Sequence, residues 1–206
     1  QATDTPTNNF CTLNPLQKWY AASTLSEGNM KAVESGGAWG AQKGTMAVSA
    51  GKWYWEVKLT NAAHINGVQE INVEGASAIN PMILSKTTGF YNDDGGELRY
   101  NGGYTSADYG TLDSGDILGV ALNMDGGTYG QISFYDENSA IVSNHALSDD
   151  SDTVAPFGAF LSATVEYNFG GCSAFALTSA ANDENGYGNF EFAPPSGYLA
   201  LCTKNL

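Results

Sequence analysis

The stretch GDILGVALNMDGGTYGQISFYDENSAI, residues 115–141, decides the class of this chain. Leu118, Val120, Leu122 and Met124 alternate onto one face, with the small residues Gly119 and Ala121 on the other. Asp125-Gly126-Gly127 then offers residues that tolerate positive φ, which a tight reversal requires. Beyond it Ile132 and Phe134 alternate with Gln131, Ser133 and Tyr135. Alternation of period two on both sides of an Asp-Gly turn predicts a β-hairpin. A hairpin persists only when its apolar face meets a second layer, so the remaining chain must supply one.

Working outward, residues 53–59 repeat the pattern. Trp53, Trp55, Val57 and Leu59 share one face, and Tyr54, Glu56 and Lys58 the other. Two Trp side chains pointing one way predict a core strand, expected to pair with residues 45–49 across Ala50-Gly51. Residues 22–25 and 30–33 flank a turn at Ser26-Glu27-Gly28-Asn29 and are expected to pair. Further strands are expected at 10–13, 71–73, 76–79, 90–91, 98–100, 157–161, 164–169, 190–192 and 198–202. Residues 1–9 read as a loose lead-in, 15–20 as at most one helical turn, and 142–154 as a polar loop. About a dozen short strands with close turn signals and almost no helix predict an antiparallel two-sheet β-sandwich or barrel. No composition break divides residues 1–206, so one domain is expected. A start at Gln1 without Met suggests a processed chain or a piece of a larger protein.

Composition restricts function without naming it. The 206 residues carry 22 Asp plus Glu against 8 Lys plus Arg, a net charge of -14. Such a chain repels phosphate backbones, which argues against nucleic-acid binding. It also repels anionic membrane surfaces, and no apolar run is long enough to span a bilayer. With 42% hydrophobic residues the chain can build a core.

Catalytic patterns are missing. His64 and His145 stand in no motif, and no Gly-x-Ser-x-Gly or zinc-ligand spacing occurs. Glu56 is alone on its strand, and the adjacent Asp136 and Glu137 face opposite ways, unlike the alternating carboxylates of sandwich glycanases. The acidic loops at Asp93-Asp94, Asp149-Asp150-Asp152 and Asp183-Glu184 could supply oxygen to Ca²⁺. None has EF-hand spacing and turn chemistry also accounts for them, so no cofactor is expected. Of three cysteines, Cys11 lies in the first expected strand and Cys202 in the last. They are a disulfide candidate if the terminal strands pair; otherwise both are buried thiols. Cys172 is left over in either case.

Three stretches carry a resemblance. GKWYWEVKL (51–59) resembles the Trp-Glu-Val strand of SPRY domains. Residues 113–141 resemble their Gly-Asp-x-Ile-Gly-Val-x-Leu-Asp hairpin ending in Ser-Phe-Tyr. PFGAFLSATVEYNFG (156–170) resembles their closing strand pair. The likeness runs over roughly residues 10–202 and is similar to SPRY-like domains in structural proteins of tailed, often marine, bacteriophages. Two departures stand out: Asn123 occupies a position commonly Asp, and 171–182 lacks the usual Gln-Arg-Pro-Phe. The resemblance implies a concanavalin-like bent sandwich and a non-catalytic binding role. It also implies a virion or extracellular location, within a fibre or tail appendage. The implied partners are a host-surface glycan or protein, or neighbouring virion subunits. A lectin-like domain of a secreted protein is the alternative, and a sandwich glycanase the third reading.

The candidate ligand site is the tyrosine-rich segment 91–109. Tyr91, Tyr100, Tyr104 and Tyr109 stand there among Asn92, Asp93, Asp94, Arg99 and Asn101. Tyr91, Asp93, Asn101, Tyr104 and Tyr109 are the selected residues. Tyrosine offers a flat apolar face with a hydroxyl tip, and carboxylates or amides beside it meet sugar or peptide polar groups. The competing reading leaves Tyr91 and Tyr100 as strand residues and the Asp and Gly residues as turn formers.

Overall fold

The computed structural model describes residues 5–17, 23–60, 63–73, 86–93, 95–101, 103–105, 107–147 and 152–206. Strands are numbered along the chain. One sheet runs β1 (Thr24–Ser26), β2 (Lys31–Val33), β13 (Thr164–Asn168), β4 (Lys52–Leu59), β9 (Ile117–Asn123), β10 (Gln131–Asp136) and β11 (Ser139–Ala146). An eighth strand, β14 (Leu199–Ala200), also pairs with β4. The second sheet runs β3 (Trp39–Lys43), β12 (Val154–Leu161), β5 (His64–Glu70), β6 (Thr87–Tyr91), β7 (Glu97–Tyr100) and β8 (Gly103–Tyr104). Among the described residues there is no helix, and the chain is an all-β sandwich.

The hairpin β9–β10 forms as its alternation demands, with Phe134 opposite Val120 and Ile132 opposite Leu122. Leu118, Val120, Leu122, Ile132 and Phe134 all enter the core between the sheets, with Trp53, Trp55, Val57 and Leu59 of β4. The second sheet answers with Val68, Phe90, Leu98 and Phe160. Phe90 meets Phe134 at 5.8 Å between ring centroids, an inter-sheet aromatic contact. Buried polar groups cross the same space: the Tyr167 hydroxyl donates to Asn66 Oδ1 at 2.6 Å.

The outer face of the larger sheet is covered too. Phe190 stands edge-on to Tyr54 at 5.2 Å, and Phe10, Ala121, Ala200 and Cys202 close around them. The C-terminal segment therefore packs across β4 and β9, which is why both faces of β4 are largely buried.

Several expected elements fall elsewhere. Residues 45–49 form no strand against β4, because the edges of β4 are taken by β9 and by β13 with β14. Instead the Gly44 amide donates to Pro156, Thr45 to Thr12 and Val48 to Val154. β3, ahead of it, is a Gly-Ala-Gln strand without alternation. β11 runs well into the expected polar loop; as an edge strand it buries Val142 and leaves Ser143 and Asn144 exposed. Residues 10–13 and 190 contribute isolated bridges rather than strands. Residues 71 and 72 form a turn. The last strand shortens to Leu199–Ala200 and pairs with β4 in parallel, the one exception to an antiparallel pattern among the described strands. Residues 76–79 and 18–20 lie outside the described residues.

The terminal segments do meet, yet Cys11 and Cys202 are both free thiols. Phe10 bridges Cys202 directly, and the Cys11 amide donates to the Leu201 carbonyl at 2.9 Å. Neighbouring residues on a strand face opposite ways. Cys11 therefore turns into the inter-sheet core and Cys202 into the outer cluster around Tyr54. This corrects the disulfide candidate: a one-residue offset puts the two sulfurs on opposite sides.

Candidate ligand-binding face

The tyrosine-rich segment builds the free edge of the smaller sheet. β6 and β7 pair with Tyr91 opposite Glu97 and Gly89 opposite Arg99, and Tyr104 of β8 sits opposite Arg99. Period-two alternation sends Tyr91, Glu97, Arg99 and Tyr104 to the outer face, and Leu98 and Tyr100 inward. Gly96 fixes the β6–β7 connection: its φ is 72°, and a Cβ there would lie 2.0 Å from the Gly110 carbonyl. The Asn92 side chain pins the following loop by bonding both the amide and the carbonyl of Leu112, at 2.7 and 2.9 Å.

On that outer face Arg99 lies between two rings. Its guanidinium is 4.8 Å from the centroid of Tyr91 and 4.8 Å from that of Tyr104. The Glu97 carboxylate stands 2.5 Å from the same guanidinium. Planar, weakly hydrated guanidinium is suited to such stacking. The Tyr91 hydroxyl donates to Asp93 Oδ2 at 2.9 Å, and Trp39 packs on Tyr91 from the other side at 6.2 Å. Tyr91 is buried, while Tyr104 is 58% exposed. The stack is thus a rigid ring, a fixed cation and an outward-facing ring.

The rest of the tyrosine-rich segment parts company. Tyr100 leaves by the inner face and contacts His145 of β11 at 5.3 Å, across the open lip of the sandwich. Burial holds the His145 imidazole below its ordinary pKa. Tyr109 is half-buried against the inter-sheet core. Asn101 is a turn residue with φ 44°, accepting the Lys86 amide on Oδ1. A common concave surface holding several exposed rings is therefore not what this segment makes. Tyr91, Asp93 and Tyr104 are brought together, and Asn101 and Tyr109 serve the loops. Trp39 and Glu97 were not picked out from the sequence. Trp39 is remote along the chain, whereas Glu97 was accessible in principle, since its i, i+2 spacing to Arg99 within a strand puts the two on one face.

Glu56, Asp183 and Glu184 are engaged by the fold, and Asp94, Asp149 and Asp150 lie outside the described residues. Glu56 is fully buried. It accepts the Glu191 and Phe192 amides at 3.0 and 2.7 Å and the Asn168 amide at 2.9 Å. Burial pushes its pKa up to about 7, opposed by those N–H donors and aided by the charge of Glu191. Asp183 accepts from Asn185, Tyr187, Ala200 and Asn205, filling both oxygens with N–H donors. Glu184 accepts from Ser196 and Gly197. Among the described residues no cluster of three His, Cys, Asp or Glu side chains is arranged to hold a metal ion.

No family profile and no curated protein sequence matches this chain. Solved structures do. The SPRY domain of human HERC1 superposes with a TM-score of 0.62 at 17% identity, over 80% of this chain and 99% of that one. The PSpry domain of TRIM65 gives 0.60 at 18% identity, over 77% and 89%. A human SPRY domain gives 0.53 at 17%, over 73% and 95%. At such identities the likeness establishes the fold, which is that of SPRY domains.

Proposed function

We propose that this chain is a non-catalytic binding module whose contact face is the outer surface of the smaller sheet around Arg99 and Tyr104. The observation that carries the reading is the Tyr91–Arg99–Tyr104 stack with its exposed terminal ring. A preorganised aromatic surface beside hydrogen-bonding carboxylates binds sugar rings or protein surfaces at low entropic cost. The placement of Glu56 supports a role without catalysis: its raised pKa would suit an acid catalyst, but both oxygens are spent on backbone and amide N–H groups inside the fold. The net charge of -14 supports a ligand other than nucleic acid.

The wider setting follows from the sequence resemblance to phage SPRY-like domains. Residues 1–206 are one module of a larger virion protein, displayed outside the host on a fibre or tail appendage. Its ligand there is a host-surface glycan or protein, and no cofactor is needed. A glycan array and a host-cell attachment assay test this directly. Tyr104→Ala should abolish or sharply weaken attachment while leaving the melting temperature unchanged. Attachment equal to that of the parent would remove this face from the function, and release of sugar from an incubated polysaccharide would replace binding with hydrolysis.

A further inference from the structure

A second aromatic site lies on the opposite side of the sandwich, over the outer face of the larger sheet. It is a cleft of about 150 Å³ lined by Tyr54, Tyr135, Glu137, Asn138, Ala193 and Pro195. Tyr54 of β4 and Tyr135 of β10 stand on either side of β9. Gly119 of β9 pairs with Tyr135 on one side and Glu56 on the other. A Cβ on Gly119 would lie 3.0 Å from the Tyr54 hydroxyl and 3.2 Å from Tyr135 Cβ. The missing side chain is what lets Tyr54 and Tyr135 close in over β9. Tyr54 is held firmly, its ring edge-on to Phe190 and its hydroxyl donating to Glu56 at 3.4 Å. Glu137 stands exposed at the rim, in the turn between β10 and β11.

Charge decides what such a cleft would take. No Lys or Arg lines it, and its one ionisable rim group is a carboxylate. Elsewhere this chain places four of its eight cations on aromatic faces: Lys52 over Tyr198, Lys58 over Phe175, Lys204 over Tyr187, and Arg99 between Tyr91 and Tyr104. The cleft offers the half-buried ring of Tyr135 and the Glu137 carboxylate without a cation, and Tyr54, 2% exposed, forms its wall. Its volume is small for a whole ligand but suits the head of one side chain. We propose that the Tyr54–Tyr135 cleft receives a single basic side chain, an arginine, from a partner protein. The planar guanidinium stacks on Tyr135 and pairs with the Glu137 carboxylate. The net charge of -14 would favour the approach of a basic partner surface. This site is independent of the Arg99 face.

The probe is N-acetyl-arginine amide, titrated into the isotope-labelled full chain, with the neutral isostere N-acetyl-citrulline amide in parallel. Arginine should shift the backbone amides of Gly119, Tyr135 and Asn138 saturably, and citrulline should bind at least about tenfold more weakly. Glu137→Gln, at an exposed turn, should weaken the arginine response with the melting temperature kept. Tyr135→Leu, which removes the half-buried ring that lines the cleft, should abolish it. Tyr104→Ala should leave the response intact, which separates this site from the attachment face. Equal responses to arginine and citrulline, no response into the tens of millimolar, or full response in folded Tyr135→Leu would each overturn the proposal.

Discussion

Cys11 and Cys202 lie on paired backbone segments but one position out of register, so their side chains enter different clusters. The Cys11 thiol is fully buried, and burial pushes its pKa up to about 11. Cys202 is buried as well, and Cys172 is exposed. A thiol reagent should therefore modify one cysteine quickly in the native chain, namely Cys172, and three after denaturation without reductant. Mass mapping of the labelled peptides reads both numbers, and a single labelled cysteine after denaturation would show a disulfide.

Trp55 is 1% exposed and lies 6.3 Å from Phe169 within the inter-sheet core. Trp55→Ala should destabilise the fold by roughly 3–5 kcal/mol. Denaturant unfolding measures this, with the slope unchanged if the denatured state is unaffected.

Glu56 links β4 to the C-terminal segment, and the direction of its pKa shift fixes a pH dependence. Its folded pKa of about 7 lies above the ordinary 4.5. The folded chain therefore holds this proton more tightly than the unfolded chain. The contribution to stability is greatest below the unfolded value and is lost as pH rises through the folded one, by roughly 3 kcal/mol. Subtracting the stability-versus-pH curve of Glu56→Gln from that of the parent isolates this slope. The variant should also lose about 1–3 kcal/mol at low pH, because its amide NH₂ would face backbone N–H donors.

Tyr91 and Tyr104 flank the same guanidinium yet should differ widely in their effect on stability. Tyr104→Ala at an exposed edge should change stability by no more than about 0.5 kcal/mol. Tyr91→Ala removes a buried ring and should cost about 3 kcal/mol. Thermal unfolding of the two variants checks the contrast, and equal losses would mean that Tyr104 is part of the packing.

Lys43 is 2% exposed, and its ammonium donates to the carbonyls of Glu70, Ile71 and Val73 at 2.9, 3.2 and 2.6 Å. Lys43→Met keeps the stem and strands those acceptors, which should cost roughly 2–4 kcal/mol. Amide exchange at Asn72 and Val73 should accelerate more than that of the β9–β10 hairpin, because the loss is local.

The alternation of residues 117–136 and of 52–59 was enough to determine the central hairpin and the inward face of β4, and the run of short strands an all-β sandwich or barrel. Period two forces those side chains onto one side whatever surrounds them. The motif order in the same stretches carried the likeness to SPRY domains, and the fold agrees. Tertiary structure alone decided the partners. Residues 45–49 look as strand-like as β3 but found the edges of β4 occupied, and a polar edge strand such as β11 carries too weak an alternation to be seen. The sequence placed Cys11 and Cys202 in meeting segments, and only the register, set by Phe10 opposite Cys202, put their sulfurs on opposite faces. The site divided in the same way. Tyr91, Arg99 and Tyr104 were visible as residue types in one segment. The contact of Tyr91 with Trp39, the placing of Arg99 between the two tyrosines and the separation of Tyr100 depended on which face each strand turned outward. The meeting of Tyr54 and Tyr135 over Gly119 depended on neighbours across the sheet that no local pattern reveals.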